Sequence, residues 1–195
     1  MTSWPARPVA RLLLGAGLAT LSAAAGYLGL VTAAVPIDIG VGRRLRPLGP
    51  STILIGAPRE IVFDVIAQPY LGRATRAMKE KVRILQAGSD MVLAAHRTPI
   101  RGRLVATTVE TVRFTRPERV DFRLVRGPVP HVVEEFVLTE HDGDTELTYR
   151  GELGTDLGPV GQRWADLVAR RWERAVADTL DSVKTEAERR SSRRD

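Results

Sequence analysis

Any chemistry in this chain rests on carboxylates and little else. There is no cysteine, which excludes disulfides, thiolate metal ligands and a cysteine nucleophile. The three histidines, His96, His131 and His141, stand at spacings that match no metal motif, so no metal or cofactor is expected. What remains is a group of residues that share one face if the strands carrying them alternate: Glu110, Val112, Phe122, Leu124, Glu134, Phe136 and Tyr149. A carboxylate in such company costs free energy unless paired, and desolvation raises its pKa, which is how general acids are made. Glu110 and Glu134 are the candidates to orient a ligand's polar group or to move protons, with Tyr149 as a hydroxyl partner. The simpler reading is that the two sit at an open mouth, pair with Arg97 or Arg101, or are turned outward by a bulge. His96 and His131 fall near strand ends, where a solvated edge position is expected. No residue is assigned a catalytic role.

The elements that would position these residues follow from punctuation. Strand-like segments occupy about 79–87, 90–98, 102–115, 119–126, 131–140 and 145–153, separated by Gly-, Pro- and Asp-rich breaks. Asp142-Gly143 is the strongest break, because a two-residue hairpin turn needs positive φ. It sets Leu138 opposite Leu147, Phe136 opposite Tyr149 and Glu134 opposite Gly151. A tight turn near Gly127–Pro130 then puts Leu124 opposite Glu134, Phe122 opposite Phe136 and Val120 opposite Leu138. A turn around Pro117 puts Phe114 by Val120, Val112 by Phe122 and Glu110 by Leu124. With strands ~4.8 Å apart, the two carboxylates attach roughly 10 Å from each other.

Upstream, Ser51–Ile55 alternates as a strand, and Pro58 with Glu60 suits the first turn of a helix carrying Ile61, Val62, Val65 and Ile66 on one stripe. Pro69 and Gly72 end it, and a second helical turn is expected around Arg73–Met78. From Pro159 to Ala187 the apolar residues keep helical spacing against a charged opposite face. Trp164 and Trp172 are expected to anchor this helix, with ligand contact as a secondary role. Residues 188–195 read as a disordered basic tail.

The first fifty residues are different in kind. Leu12–Val35 runs 24 residues without a charge, and as a helix would span roughly 36 Å, enough to cross a bilayer core. A single membrane anchor is expected, after a short tail at 1–11; a secretory signal cleaved near Val31-Thr32-Ala33 is the alternative. Arg43, Arg44 and Arg46, in a basic linker at 36–50, outnumber Arg7 and Arg11 and favour a cytoplasmic domain. They could rest on anionic lipid headgroups, and Gly15, Ala19 and Ala23 offer a face for self-association. The formal charge of +6 belongs to the two ends, since residues 47–188 hold 20 Lys and Arg against 21 Asp and Glu. A domain-wide footprint for nucleic acid is therefore absent.

The order of strand, two short helices, six strands and long C-terminal helix resembles the helix-grip fold of the START-like (SRPBCC) superfamily, often called polyketide cyclase/dehydrase and lipid-transport proteins. The resemblance is carried by ILIGAPREIVFDVIAQP, RPERVDFRLV, EEFVLTEHDGDTELTYRGEL and the final helix, and covers roughly 51–187. It implies an α+β domain whose curved antiparallel sheet wraps a long helix around an apolar cavity, and it brings no universal catalytic motif. The expected function is membrane-anchored binding of an apolar small molecule (lipid, isoprenoid or quinone), gated by helix 160–187 and the loops at Pro99–Gly102 and Gly127–Pro130. The alternative is a cyclase or dehydrase acting on a polyketide-like substrate.

Overall fold

The structure, a computed structural model, describes residues 22, 24–35, 37–72, 76–101 and 103–193. Helix α1 (24–31) leads into β1 (Arg44–Ile55), α2 (Arg59–Ala67) and α3 (Arg76–Lys81). Strands β2 (Val82–Ala87), β3 (Met91–Arg101), β4 (Leu104–Thr115), β5 (Arg119–Arg126), β6 (His131–His141) and β7 (Asp144–Thr155) follow, and α4 (Gly158–Ser191) closes the chain. The strands form one antiparallel sheet in the order β1-β7-β6-β5-β4-β3-β2. This is the expected α+β architecture: a meander from β2 to β7, with the first strand returning to pair with the last.

The core lies between the sheet's inner face and the helices. On β6, Val132, Glu134, Phe136 and Leu138 are buried while the residues between them are not, the period of two that a one-faced strand requires. Helix α2 buries Ile61, Val62, Phe63, Val65 and Ile66, and α4 buries Val168, Val176, Leu180, Val183 and Ala187. These side chains and Val112, Val120, Leu147 and Tyr149 from the sheet make one cluster.

The hairpin turn at Asp142-Gly143 sits as expected, with φ of 52° and 90°, and fixes Glu134 opposite Gly151 and Phe136 opposite Tyr149. The β4–β5 register also matches, with Glu110 opposite Leu124 and Val112 opposite Phe122. The β5–β6 register differs by two residues: Phe122 faces Glu134 and Val120 faces Phe136. The connection here is wider than a tight turn, and Pro128 and Pro130 have no N–H to close one. A shift of two leaves every side chain on its face, so the inward set is unchanged.

Three boundaries differ from the sequence reading. β1 starts at Arg44, not Ser51, so much of the stretch read as linker belongs to the sheet. Its register against β7 shifts between Leu48 and Ser51, where Gly49 (φ 75°) and Pro50 lie, and an edge strand tolerates the missing N–H groups of Pro47 and Pro50. Helix α3 runs to Lys81, delaying β2 to Val82; residues 73–75 of the expected second helical turn lie outside the described residues. Helix α4 continues to Ser191, past the expected onset of a disordered tail. Its last turns are held by Lys184 Nζ donating to the Leu54 carbonyl (2.6 Å), Gly56 N–H donating to Glu188 Oε1 (3.1 Å), and Arg190 donating to Gln68.

Residues 1–21 of the expected N-terminal tail and span, Gly15 and Ala19 among them, lie outside the described residues, as does Ala23. Among the described residues no helix is long and apolar enough to cross a membrane. The arginines after it are engaged by the protein itself. Arg43 is drawn to Asp156, with Nε 2.7 Å from Oδ1, and also to Asp38. Arg46 reaches Asp166 at 2.9 Å, and Arg44 bonds Gln162. Asp156 also accepts the backbone N–H groups of Ile39 (2.7 Å) and Gly40 (2.8 Å). The Arg43 guanidinium and these N–H groups hold its carboxyl down at about 2.

Candidate functional site

Between α4 and the inner face of β3–β6 lies a cavity of about 720 Å³, open on one side. Its buried floor is aromatic and acidic: Phe122, Glu134 and Phe136 from β5 and β6, Glu110 from β4. Helix α4 forms a wall with Trp164, Leu167, Val168 and Trp172, and exposed Arg171, Arg174 and Asp178 mark the rim. The opposite rim is the tip of the β3–β4 hairpin, with Thr98, Pro99 and Ile100, and Pro128 of the β5–β6 loop also takes part. Both loops expected to gate the cavity thus contribute to its lining. Tyr27 and Val31 of α1 complete it.

The alternation of β4 and β6 turns both carboxylates inward, where Glu110 is 5% and Glu134 7% exposed. Among the described residues neither pairs with an arginine. Glu110 Oε2 lies 2.9 Å from His96 Nδ1, a neighbour placed by the β3–β4 ladder. His96 Nε2 lies 3.1 Å from the Tyr70 hydroxyl, and the two rings meet edge to face at 5.7 Å. The expectation of a solvated edge histidine is therefore corrected: the His96 side chain is 17% exposed and faces the cavity. Arg97, the suggested partner, is exposed; the side chain of Arg101 lies outside the described residues. His131 stands at the start of β6, part-exposed and paired with Glu152 at 2.8 Å.

Glu134 is built differently. Its Oε2 accepts two bonds, from the Tyr149 hydroxyl (2.8 Å) and Trp172 Nε1 (2.7 Å), and among the described residues Oε1 has no protein partner. Burial, and then the nearby Glu110, push its pKa up to about 7 against the pull of these donors. The same burial pushes the Tyr70 and Tyr149 hydroxyls far above the ordinary tyrosine value, so both stay neutral donors. The cavity thus holds a carboxyl whose pKa is raised toward neutrality and, near it, the His96–Glu110 contact. Together these can bind a hydroxyl or carbonyl, or exchange protons with one.

Of the seven residues singled out from sequence, Glu110, Phe122, Glu134 and Phe136 line the cavity. Val112 and Leu124 are packed into the core away from it, and Tyr149 lies behind Glu134 as its hydrogen-bond donor. Trp164 and Trp172 both pack and line, each donating its indole N–H. Tyr70 was not anticipated. It sits in the turn after α2, where only the three-dimensional return of that loop onto β3 and β5 places it beside His96, Phe114 and Phe122. Among the described residues no three His, Asp or Glu side chains gather as a metal site would need.

Several solved structures share this architecture. The Zhui aromatase/cyclase from Streptomyces sp. R1128 is similar over 76% of this chain and 95% of its own, at 20% identity and a TM-score of 0.59. TTHA0849 from Thermus thermophilus is similar over 76% and 99%, at 14% identity and 0.56. A norcoclaurine synthase from Thalictrum flavum, solved with dopamine and hydroxybenzaldehyde, is similar over 73% and 85%, at 11% identity and 0.53. At such identities the likeness speaks for the fold. No curated protein matches the chain. The family described as polyketide cyclase / dehydrase and lipid transport matches residues 50–188, which takes in β2–β7, most of α4 and the whole cavity floor, and the chain belongs to it.

Proposed function

We propose that this protein binds an apolar small molecule, a lipid, isoprenoid or quinone, with the molecule's body against the aromatic floor and a hydroxyl or carbonyl turned toward Glu134 and His96. The observation that carries this reading is the cavity itself: about 720 Å³, within the ordinary range for small-molecule sites, apolar over most of its wall and with its polar groups convergent. Affinity would come from buried apolar ligand surface, worth ~25 cal/mol per Å² before ordering costs. In the same reading the uncharged run Leu12–Val35 holds the domain at a membrane, on its cytoplasmic face, beside its source of ligand. Native mass spectrometry of the full chain gently extracted from its own membranes, with lipid extraction of the same sample, tests it. A stoichiometric apolar species is expected; a folded protein that is empty and takes up no apolar fluorescent probe would refute it.

A second reading is favoured by a specific observation, the pairing of His96 with Glu110 in the same cavity as a carboxyl whose pKa is raised toward neutrality. A cyclase or dehydrase needs such groups: an acid to protonate a departing hydroxyl and a base to take a proton from carbon. Glu134→Gln and Glu110→Gln separate the two. Turnover of a polyketide-like substrate that disappears while binding persists supports the enzyme; unchanged occupancy with no activity in any form supports the carrier.

A further inference from the structure

Apolar side chains exposed to solvent are concentrated at one end of the molecule. Among the described residues fourteen large apolar side chains are exposed, and eight lie on α1, the segment leading to β1, the start of β1, or the start of α4. Val160 is 72% and Val41 64% exposed, with Leu28, Val35, Ile39 and Leu157 beside them in the chain. Tertiary contacts make this a continuous face. The Leu157 N–H donates to the Val41 carbonyl at 2.8 Å, and Gly158 to Gly42 at 3.0 Å, joining the β1 approach to the start of α4. Val160 lies one turn before Trp164, whose ring meets Tyr27 edge-on at 6.3 Å, joining α4 to α1. Backbone conformation contributes too: Leu157 is held at φ 69°, a region that a branched side chain adopts at a cost, and its side chain is left exposed.

This face and the cavity share a border. Tyr27, Val31 and Trp164 line the cavity, so its rim is continuous with the exposed apolar end. The segment is fixed in place. Arg126 donates to the carbonyls of Ala33 and Ala34, Thr107 N–H donates to Thr32, and Asp156 clamps Ile39, Gly40 and Arg43. The same contacts consume the nearby cations Arg43 and Arg126, leaving exposed Arg163 and the Gln162-bonded Arg44 at the border.

We propose that this end face is a lipid-contact surface, which lays the border of the cavity formed by Tyr27 and Trp164 against the headgroup–acyl boundary of a bilayer. It deepens the membrane-side reading given above and rests on it. The occupant is named by continuity: the exposed face is the direct extension of the uncharged run Leu12–Val35, whose described end forms part of it. An apolar surface bordered by arginine, with Asp38 paired to Arg43, suits an interfacial contact, the apolar part entering the boundary and the cations meeting phosphate.

The absence of cysteine allows a direct test on the full chain. Val160→Cys, Val41→Cys and, as a control in the β2–β3 turn at the far edge of the sheet, Ser89→Cys are each labelled with an environment-sensitive fluorophore. Each is mixed with phosphatidylcholine vesicles, with and without spin-labelled phosphatidylcholine as quencher. The expected result is a blue shift and loss of emission to the spin label at positions 160 and 41, and neither at 89. If the protein floats with the vesicles while positions 160 and 41 stay solvent-like, the anchoring reading stands and the lipid-contact face is overturned. Failure to float overturns both. A blue shift at 160 without vesicles that grows with protein concentration overturns it in favour of a second copy covering the face. If that shift is independent of concentration and vanishes on deleting residues 1–21, the chain's own N-terminal segment covers the face and the proposal is likewise overturned. Uptake of an apolar probe by the same samples reports on the cavity separately.

Discussion

At the scale of single residues, two of the buried acids, Glu134 and Asp156, respond to pH in opposite senses. Glu134 rises from 4.5 to about 7 on folding, so the folded state holds a proton that the unfolded chain has released across that window. Its contribution is greatest below about pH 4.5 and falls as pH rises, by roughly 3 kcal/mol once pH 7 is passed. Glu134→Gln keeps an oxygen able to accept from Tyr149 and Trp172 and removes the titration. Urea midpoints of the variant are expected to be flatter than those of the native chain between pH 5 and 8; parallel profiles would contradict the assignment. Asp156 runs the other way. Its folded pKa is depressed to about 2, so its stabilisation is full above about pH 4 and is lost as pH falls through 2. Asp156→Ala strands the N–H groups of Ile39 and Gly40 and should cost about 2 kcal/mol in urea unfolding at pH 7, the scale of unsatisfied polar groups beside a part-exposed arginine. Alternation alone made Glu110 and Glu134 legible in the sequence. His96, Tyr70 and Asp156 were not legible as partners, because each meets its counterpart through a ladder or a loop return that spacing does not encode.

At the scale of elements, the hairpin β6–β7 carries the site, and its tightest point is Gly151. A Cβ there would lie 2.6 Å from the Val133 carbonyl and 2.7 Å from Glu134 Cβ, groups that cannot move without moving the strand. Gly151→Ala is expected to destabilise by about 1–3 kcal/mol and to displace Glu134 from Tyr149 and Trp172. The second effect is read as a changed pH dependence of unfolding, beyond a uniform loss. This hairpin was readable because Asp-Gly fixes both turn and register. The β5–β6 connection was not, since two prolines in four residues leave the loop length open, and the error of two residues was harmless only because side chains alternate. β1 was half hidden for a related reason: Pro47 and Pro50 disqualify a central strand, and nothing in the sequence says that this one runs along an edge.

At the scale of the whole molecule, the fold followed from the order of elements, whereas the cavity's extent depended on how far α4 stands off the sheet. The helix does two jobs along its length. Its later turns bury Leu180, Val183 and Ala187 and are tied to Leu54, Gly56 and Gln68; its earlier turns, from Trp164 through Thr179, border empty volume. Deleting the chain after Ala187 removes Glu188 and Arg190 and should lower the urea midpoint without altering the cavity lining, checked by probe binding to the truncated protein. The same division gives the helix a second use, as a gauge. Amide hydrogens of 160–179 should exchange faster than those of 180–188 while the cavity is empty, and should slow selectively once something fills it. An exchange profile of one helix would then score extracts, fractions or candidate compounds for a true occupant before any chemical structure is in hand.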